Sequence, residues 1–130
     1  MKKIILLCLF LGFYGSLTAQ DSSVAYKDGE WLKFRLHYGF LNASYATLHL
    51  TKASLEKKPL FHVVAKGKTT GWASIFFKVD DTYESFFTPK ENEPIRFIRK
   101  VREGGTTMHL EVDFDHENDK AYMQDVKNGK

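Results

Sequence analysis

The sequence predicts a mainly β fold, a curved antiparallel sheet or half-barrel with one short helix. Apolar and polar residues alternate with period two in most segments after residue 30, which is the pattern of half-buried strands. Each such segment has a single apolar face, as is typical of an antiparallel sheet with one side in water. A two-residue glycine turn, Gly104-Gly105, joins two of these segments.

Seven segments are predicted as strands: residues 32–38, 46–51, 61–66, 82–88, 95–102, 107–114 and 121–126. The Gly104-Gly105 turn also predicts the register of its two strands, in which the apolar residues share one face. The predicted pairs are Arg102 with Thr107, Val101 with Met108, Arg99 with Leu110, Phe97 with Val112 and Arg96 with Asp113. The last pair brings opposite charges together, which favours the same register.

One segment has helical spacing instead. Its apolar residues recur at i, i+3, i+4 and i+7, in Trp72, Ile75, Phe76 and Val79. This spacing predicts a helix of about two turns over residues 70–78, capped by Thr69 or Thr70, with its aromatic stripe packed on the sheet. The alternative is an irregular segment with strand-like ends.

The first residues have the layout of a secretory signal. Lys2 and Lys3 precede an apolar run over residues 4–11, and small residues follow, so cleavage is predicted after Ala19. Residues 1–19 are then a signal peptide, and the mature protein lies in the periplasm or outer envelope without spanning the membrane. An uncleaved anchor is the alternative, although the apolar run is short for a spanning helix.

Composition narrows the classes of function. The chain of 130 residues has 19 Lys and Arg against 16 Asp and Glu, and loss of Lys2 and Lys3 would leave 17 against 16. Such a balance does not call for a nucleic-acid partner. Removal of the signal peptide would also remove Cys8, the single cysteine, leaving no thiolate ligand or disulfide. No cofactor is predicted.

Residues 20–130 are predicted to form a single β-rich domain that is truncated at its C-terminus. Asn128-Gly129 is a strong hairpin signal, yet the sequence supplies no returning strand after it. The alternative is a strand edge left open, which natural proteins usually avoid.

Two patterns resemble metal sites, and neither is predicted to be one. Asp113, Asp115, Glu117 and Asp119 alternate like calcium-loop ligands, but Asn118 replaces the turn glycine and Gln124 replaces the closing glutamate. A register with Leu48 facing Val63 would put His49 opposite His62, with His37 facing Tyr45 farther along. That register places no carboxylate near the pair, and exposed sheet histidines are commoner than metal ligands.

No catalytic signature is present, so the sequence predicts a protein that is not an enzyme. No serine lies in a nucleophile-elbow pattern. Asp80 and Asp81 are adjacent and point apart on a strand, so they suit a turn or cap better than the paired carboxylates of a glycosidase.

Three residues are candidates for ligand binding. Arg99 falls on the apolar face between Phe97 and Val101, where a buried guanidinium needs a partner such as an acidic head group. The alternatives are an arginine that reaches water at the sheet edge, or a local bulge. Trp72 and Phe76 are the other candidates, as part of an aromatic lid.

Several sequence runs are similar to a known family. They are GEWLKFRLHYG at residues 29–39, FKVDDTYES at 77–85 and REGG at 102–105. Together they resemble domain-of-unknown-function family 3108, a group of exported bacterial proteins, from about Val24 onward. The resemblance implies an antiparallel sheet in the cell envelope and no established activity. Family members run longer, which agrees with a truncated domain.

These observations favour a non-enzymatic envelope protein that binds a lipid or another apolar small molecule on the concave face of its sheet. The alternative is a structural or assembly protein of the outer envelope that pairs with another envelope protein through a sheet edge. A hydrolase is the third hypothesis.

Overall fold

The computed structural model of the protein describes residues 25–129. Seven strands and one short helix follow one another along this part of the chain. They are β1 (Trp31–Tyr38), β2 (Leu41–Leu55), β3 (Lys58–Thr69), α1 (Ala73–Phe76), β4 (Asp80–Phe87), β5 (Pro94–Glu103), β6 (Thr106–Asp115) and β7 (Lys120–Asp125). All seven predicted strands are present, and β2 is much longer than predicted.

The strands form one sheet in chain order, β1-β2-β3-β4-β5-β6-β7, and each is antiparallel to its neighbours. The predicted antiparallel sheet is therefore confirmed, and it is not closed into a barrel. Every connection joins adjacent strands, so the contacts that hold the sheet are between elements close in sequence. The signal peptide predicted at residues 1–19 lies outside the described residues.

The predicted register around Gly104-Gly105 is confirmed at every pair named above. Arg96 and Asp113 lie opposite each other and form a two-point ion pair, with Nε–Oδ1 at 2.5 Å and Nη2–Oδ2 at 3.1 Å. The hydrogen bond to Asp113 raises the pKa of Arg96 above its ordinary value. Turn chemistry and charge pairing select one register here.

The β2–β3 register that would place His49 opposite His62 does not form, and the observed pairing differs from it by two residues. Leu48 lies opposite Ala65 and His49 opposite Val64, while His62 faces Thr51. The register follows from a two-residue turn at Glu56 and Lys57, which have φ values of 49° and 68°. Such hairpin turns usually carry Asn or Gly at these positions, so the sequence does not mark this turn.

The register at the β1–β2 hairpin also differs from the prediction. His37 lies opposite Asn42, and Arg35 opposite Tyr45. The pairing shifts between Leu36 and His37, where an irregularity interrupts the ladder. A bulge adds a residue to one strand and moves every later pair, which alternation alone does not reveal.

The sheet has one apolar and one polar face. The buried apolar side chains are Leu50, Leu60, Phe61, Val101 and Val112. On β1, by contrast, Leu32, Phe34 and Leu36 are 48–53% exposed. Most contacts among the described elements join neighbouring strands. Residues 25–129 form one sheet and one helical turn, so they provide no second sheet over the apolar face.

The helix is shorter and more exposed than predicted. α1 is a single turn that begins after Trp72 and has no side-chain cap. Thr69, one of the predicted caps, instead accepts a hydrogen bond from the backbone N–H of Val79 at 2.9 Å. That bond joins the two ends of the segment that connects β3 with β4. The predicted packing on the sheet is wrong, since Ile75 is 81% and Phe76 77% exposed.

The last strand is followed by the predicted turn residues. β7 ends at Asp125, and the N–H of Asn128 donates to the carbonyl of Asp125 at 3.3 Å.

The one helix among the described residues is far too short to cross a bilayer.

A test of local packing is available at Gly104. Its φ is 53°, and a Cβ there would lie 2.8 Å from a ring carbon of Phe77. Gly71 has a similar φ of 57° and open space around it. Gly71→Ala should therefore cost about 1 kcal/mol for the left-handed backbone, and Gly104→Ala more. Chemical denaturation measures the loss of unfolding free energy in both variants. In a Phe77→Ala background the two losses should become equal. Equal losses while Phe77 is still present would contradict the contact between Gly104 and Phe77.

The pKa of Asp115 gives a second test. Asn118 donates to its carboxylate at 2.8 Å and lowers that pKa below the ordinary value of 3.8. A carboxyl with a lowered pKa favours folding above its unfolded pKa, and this contribution is lost as pH falls through the folded pKa. Asn118→Ala should raise the pKa of Asp115 in an NMR titration. Asp125, held by Asn128 at 2.6 Å, is the control and should not move. Movement of both pKa values, or of neither, contradicts this assignment.

Candidate functional site

Arg99 lies in the middle of β5, on the apolar face as predicted. Its cross-strand neighbours are Tyr83 on β4 and Leu110 on β6. Because side chains alternate along a strand, Phe97 and Val101 flank it on the same face. The guanidinium is thus surrounded by apolar and aromatic side chains.

The Arg99 guanidinium has an unused donor. Its Nε is buried and has no hydrogen-bond partner. Its central carbon lies 5.8 Å from the ring centroid of Tyr83, within the range of a cation–π contact. Arg99 makes no ion pair among residues 25–129. An arginine stays charged at every physiological pH, so this side chain would gain from an anionic acceptor.

Asp81 is a buried charged residue on the same face that sequence reasoning did not single out. It is 5% exposed and accepts the backbone N–H of Arg102 at 2.9 Å. The Tyr83 hydroxyl lies 3.5 Å from its other oxygen. Asp81 therefore links β4 to β5 beside Arg99, whereas the sequence predicted a turn or cap role for Asp80 and Asp81. Asp81 and Tyr83 are two residues apart on the same strand, so strand alternation could have placed Asp81 on the apolar face.

Trp72 and Phe76 do not adjoin Arg99. They form an edge-to-face pair with ring centroids 5.6 Å apart, and Trp72 is 46% exposed. α1 contacts β2, which is three strands from β5 in the sheet, or about 14 Å at the usual strand spacing. The structure thus leaves the two aromatic residues as a separate exposed surface at one end of the sheet.

The polar face carries a cluster that the sequence did not predict. His62 lies 3.0 Å from Glu84 and stacks on Phe86, with ring centroids 4.1 Å apart. Lys100 lies 3.4 Å from the other Glu84 oxygen. This network depends on the β3–β4 and β4–β5 registers. A carboxylate does lie beside His62, contrary to the expectation from the assumed register.

The same face brings a second histidine to a carboxylate, His109 to Glu111 at 3.0 Å. Within residues 25–129, no three His, Cys, Asp or Glu side chains are placed to share a metal ion. In the stretch that resembles a calcium loop, Asp113 is bound to Arg96 and Asp115 to Asn118.

The fold and the site of residues 25–129 define a class of protein: an open antiparallel sheet with one partly exposed apolar face, on which Arg99 holds a buried donor without a partner. A family model described as "Protein of unknown function (DUF3108)" matches residues 33–130. The chain belongs to this family, which confirms the resemblance found in the sequence. No curated protein and no solved structure matches the chain.

The exposure of Trp72 predicts a small effect on stability. Loss of a core aromatic side chain costs about 3–5 kcal/mol, whereas Trp72→Ala should cost about 1 kcal/mol or less. Leu50→Ala is the control for a core position, since Leu50 is 8% exposed, and it should cost about 2–5 kcal/mol. Urea denaturation measures both. An equally large loss for Trp72→Ala would mean that the aromatic pair is part of the core.

Proposed function

We propose that the protein is an exported cell-envelope protein that binds an amphipathic ligand on the apolar face of its sheet. Its role is binding and not catalysis. The observation that carries the proposal is the buried Arg99 Nε without a partner on the mainly apolar face of the sheet, where the Asp81 carboxylate accepts a backbone N–H of β5 instead. A protein that buries a donor without an acceptor loses free energy, and a ligand that supplies the acceptor recovers it.

The apolar face supports the ligand body. Phe97 and Leu110 adjoin Arg99, and the described residues leave this face partly open to water. Apolar surface covered by a ligand contributes roughly 25 cal/mol per Å². The ligand that fits is therefore a lipid or another apolar small molecule with an anionic head group at Arg99.

Trp72 and Phe76 are proposed as contacts for the far end of such a ligand. Both rings are largely exposed. The helix α1 contacts β2, and β2 belongs to the same sheet as Arg99. Three strand spacings, about 14 Å, separate β2, which α1 contacts, from β5, which carries Arg99. This favours an extended chain over a compact ligand.

Substitution of Arg99 tests the proposal. The protein is purified from its own envelope fraction and examined by native mass spectrometry for a bound small molecule. Arg99→Leu should lower the occupancy of that ligand at least tenfold, because hydrogen bonds to a charged donor are lost. Its melting temperature should stay equal or rise, because a half-buried cation without an ion pair is replaced by an apolar side chain.

Arg102→Leu is the matched control. Arg102 lies on the same strand, is exposed and points to the polar face. It should keep the ligand. A wild-type protein without any bound molecule, or an Arg99→Leu variant that keeps its ligand, would contradict the proposal. An unfolded Arg99→Leu variant would show that Arg99 is structural.

A second candidate is a structural or assembly role in the outer envelope, by pairing of a sheet edge with another protein. It is favoured by β1, the outermost strand on one side of the described sheet, where Trp31 is 57% and Phe34 48% exposed. Exposed edge strands with apolar side chains are pairing surfaces. In the same mass measurement this role gives a bound protein in place of a small molecule.

A further inference from the structure

A cleft of about 480 Å³ lies at the end of the sheet where β2 turns into β3. Its volume falls within the range of small-molecule sites, which is about 300–1,000 Å³. Two aromatic residues, Tyr26 and Phe61, and four other apolar residues supply most of its wall, and two lysines and a serine complete it. The lining residues are Tyr26, Lys52, Ala53, Ser54, Lys57, Pro59, Leu60, Phe61 and Pro89.

The cleft is separate from the Arg99 site. Phe61 lies four residues along β3 from Ala65, the residue opposite Tyr83, which itself faces Arg99. Four residues along a strand are about 13 Å, and the two strand steps from β3 to β5 add about 10 Å sideways. A head group held at Arg99 does not occupy this cleft.

The floor of the cleft is rigid. Leu60 and Phe61 are 4% and 5% exposed. The Phe61 ring packs against Tyr26 and Phe87, with ring centroids 6.2 and 5.8 Å away. Tyr26 and Phe87 are in turn 5.8 Å apart, so three rings brace one another. Aromatic walls of this kind suit an alkyl or aryl group.

The only charged residues among those that line the cleft are Lys52 and Lys57. Neither forms an ion pair within the part of the chain that the structure describes. The nearby Asp28 carboxylate accepts the backbone N–H of Lys52 at 2.8 Å and does not line the cleft. The charge of the lining is therefore positive, and its complement is an anion.

The backbone at Lys57 is strained in a way that a glycine would relieve. Lys57 and Glu56 hold φ values of 68° and 49°, which cost a residue with a side chain about 1–2 kcal/mol each. Strained positions often coincide with functional sites. Of these two residues, Lys57 is the one that lines the cleft.

We propose that this cleft is a second binding site, which takes an amphiphile with an alkyl or aryl body on the Tyr26–Phe61 wall and one anionic head group between Lys52 and Lys57. A carboxylate and a phosphate share the required chemistry, since lysine binds either one as a point charge. The inference does not depend on the ligand of Arg99.

Octanoate, octyl phosphate and 1-octanol are the probes, and isothermal titration calorimetry of the protein is the measurement. Octanoate or octyl phosphate should bind more tightly than octanol, and the tighter of the two identifies the head group. The preference for the anion should shrink as ionic strength rises, because exposed charges are screened. The proposal is overturned if octanol binds as tightly as both anions. It is also overturned if neither octanoate nor octyl phosphate binds.

Lys57→Gly and Glu56→Gly form a matched pair. Each relieves the same backbone strain, so the melting temperature should rise by about 4 °C in both variants. Lys57→Gly removes a cleft cation and should weaken anion binding about fivefold, as expected for an exposed charge pair. Glu56→Gly should leave anion binding unchanged. Equal anion affinity in the two variants would overturn the site.

Two further variants complete the test. Lys52→Met should also weaken anion binding about fivefold, with octanol binding unchanged. In an Arg99→Leu background, which removes the proposed head-group contact on the apolar face, both anions should still bind and Lys57→Gly should still weaken that binding, because Arg99 belongs to a different part of the sheet. If Arg99→Leu abolishes anion binding and Lys57→Gly does not, the head group lies at Arg99 and this inference is wrong.

Discussion

The pairing of β2 with β3 is the interaction on which the rest of the structure depends. It runs without interruption from Ser44 opposite Thr69 to Leu55 opposite Lys58. The Glu56-Lys57 turn sets this register, and a shift of one residue would exchange the two faces of the sheet. Because each later strand pairs with the one before it, β3 is the strand on which β4 is added. The β3–β4 register then brings Glu84 to His62, and the β4–β5 register places Tyr83 opposite Arg99.

A single sheet has two faces, and the described residues cover neither with a second sheet. Burial therefore comes mainly from neighbours within the sheet, and the buried apolar residues are few. The two faces also differ in whether their charged side chains have partners. On the polar face, Glu84, Glu111 and Asp113 all bind a basic side chain. On the apolar face, Arg99 keeps an unpartnered donor. This contrast is what directs the proposed function to the apolar face.

The two proposed sites use the same physical arrangement at different places. In each, a lysine or arginine without an ion pair lies beside an aromatic wall, Tyr83 for Arg99 and the Tyr26–Phe61 pair for Lys52 and Lys57. A cation on an apolar surface attracts an anionic amphiphile, because the surface removes the amphiphile's apolar body from water and the cation neutralises its head group. The Arg99 cation is partly buried and the lysines are exposed, so salt should affect the second site more strongly.

The sequence by itself determined the fold class, the existence of the strands, the Gly104-Gly105 register and the face of Arg99. These follow from period-two alternation and glycine turn chemistry, which act over a few residues. Tertiary structure alone decided the β2–β3 register, because Glu56 and Lys57 carry no turn signature. It also decided that α1 is one exposed turn, because the Thr69–Val79 hydrogen bond closes that connection. The burial of Asp81 and the Lys52–Lys57 cleft likewise depend on contacts between strands, which local sequence patterns do not record.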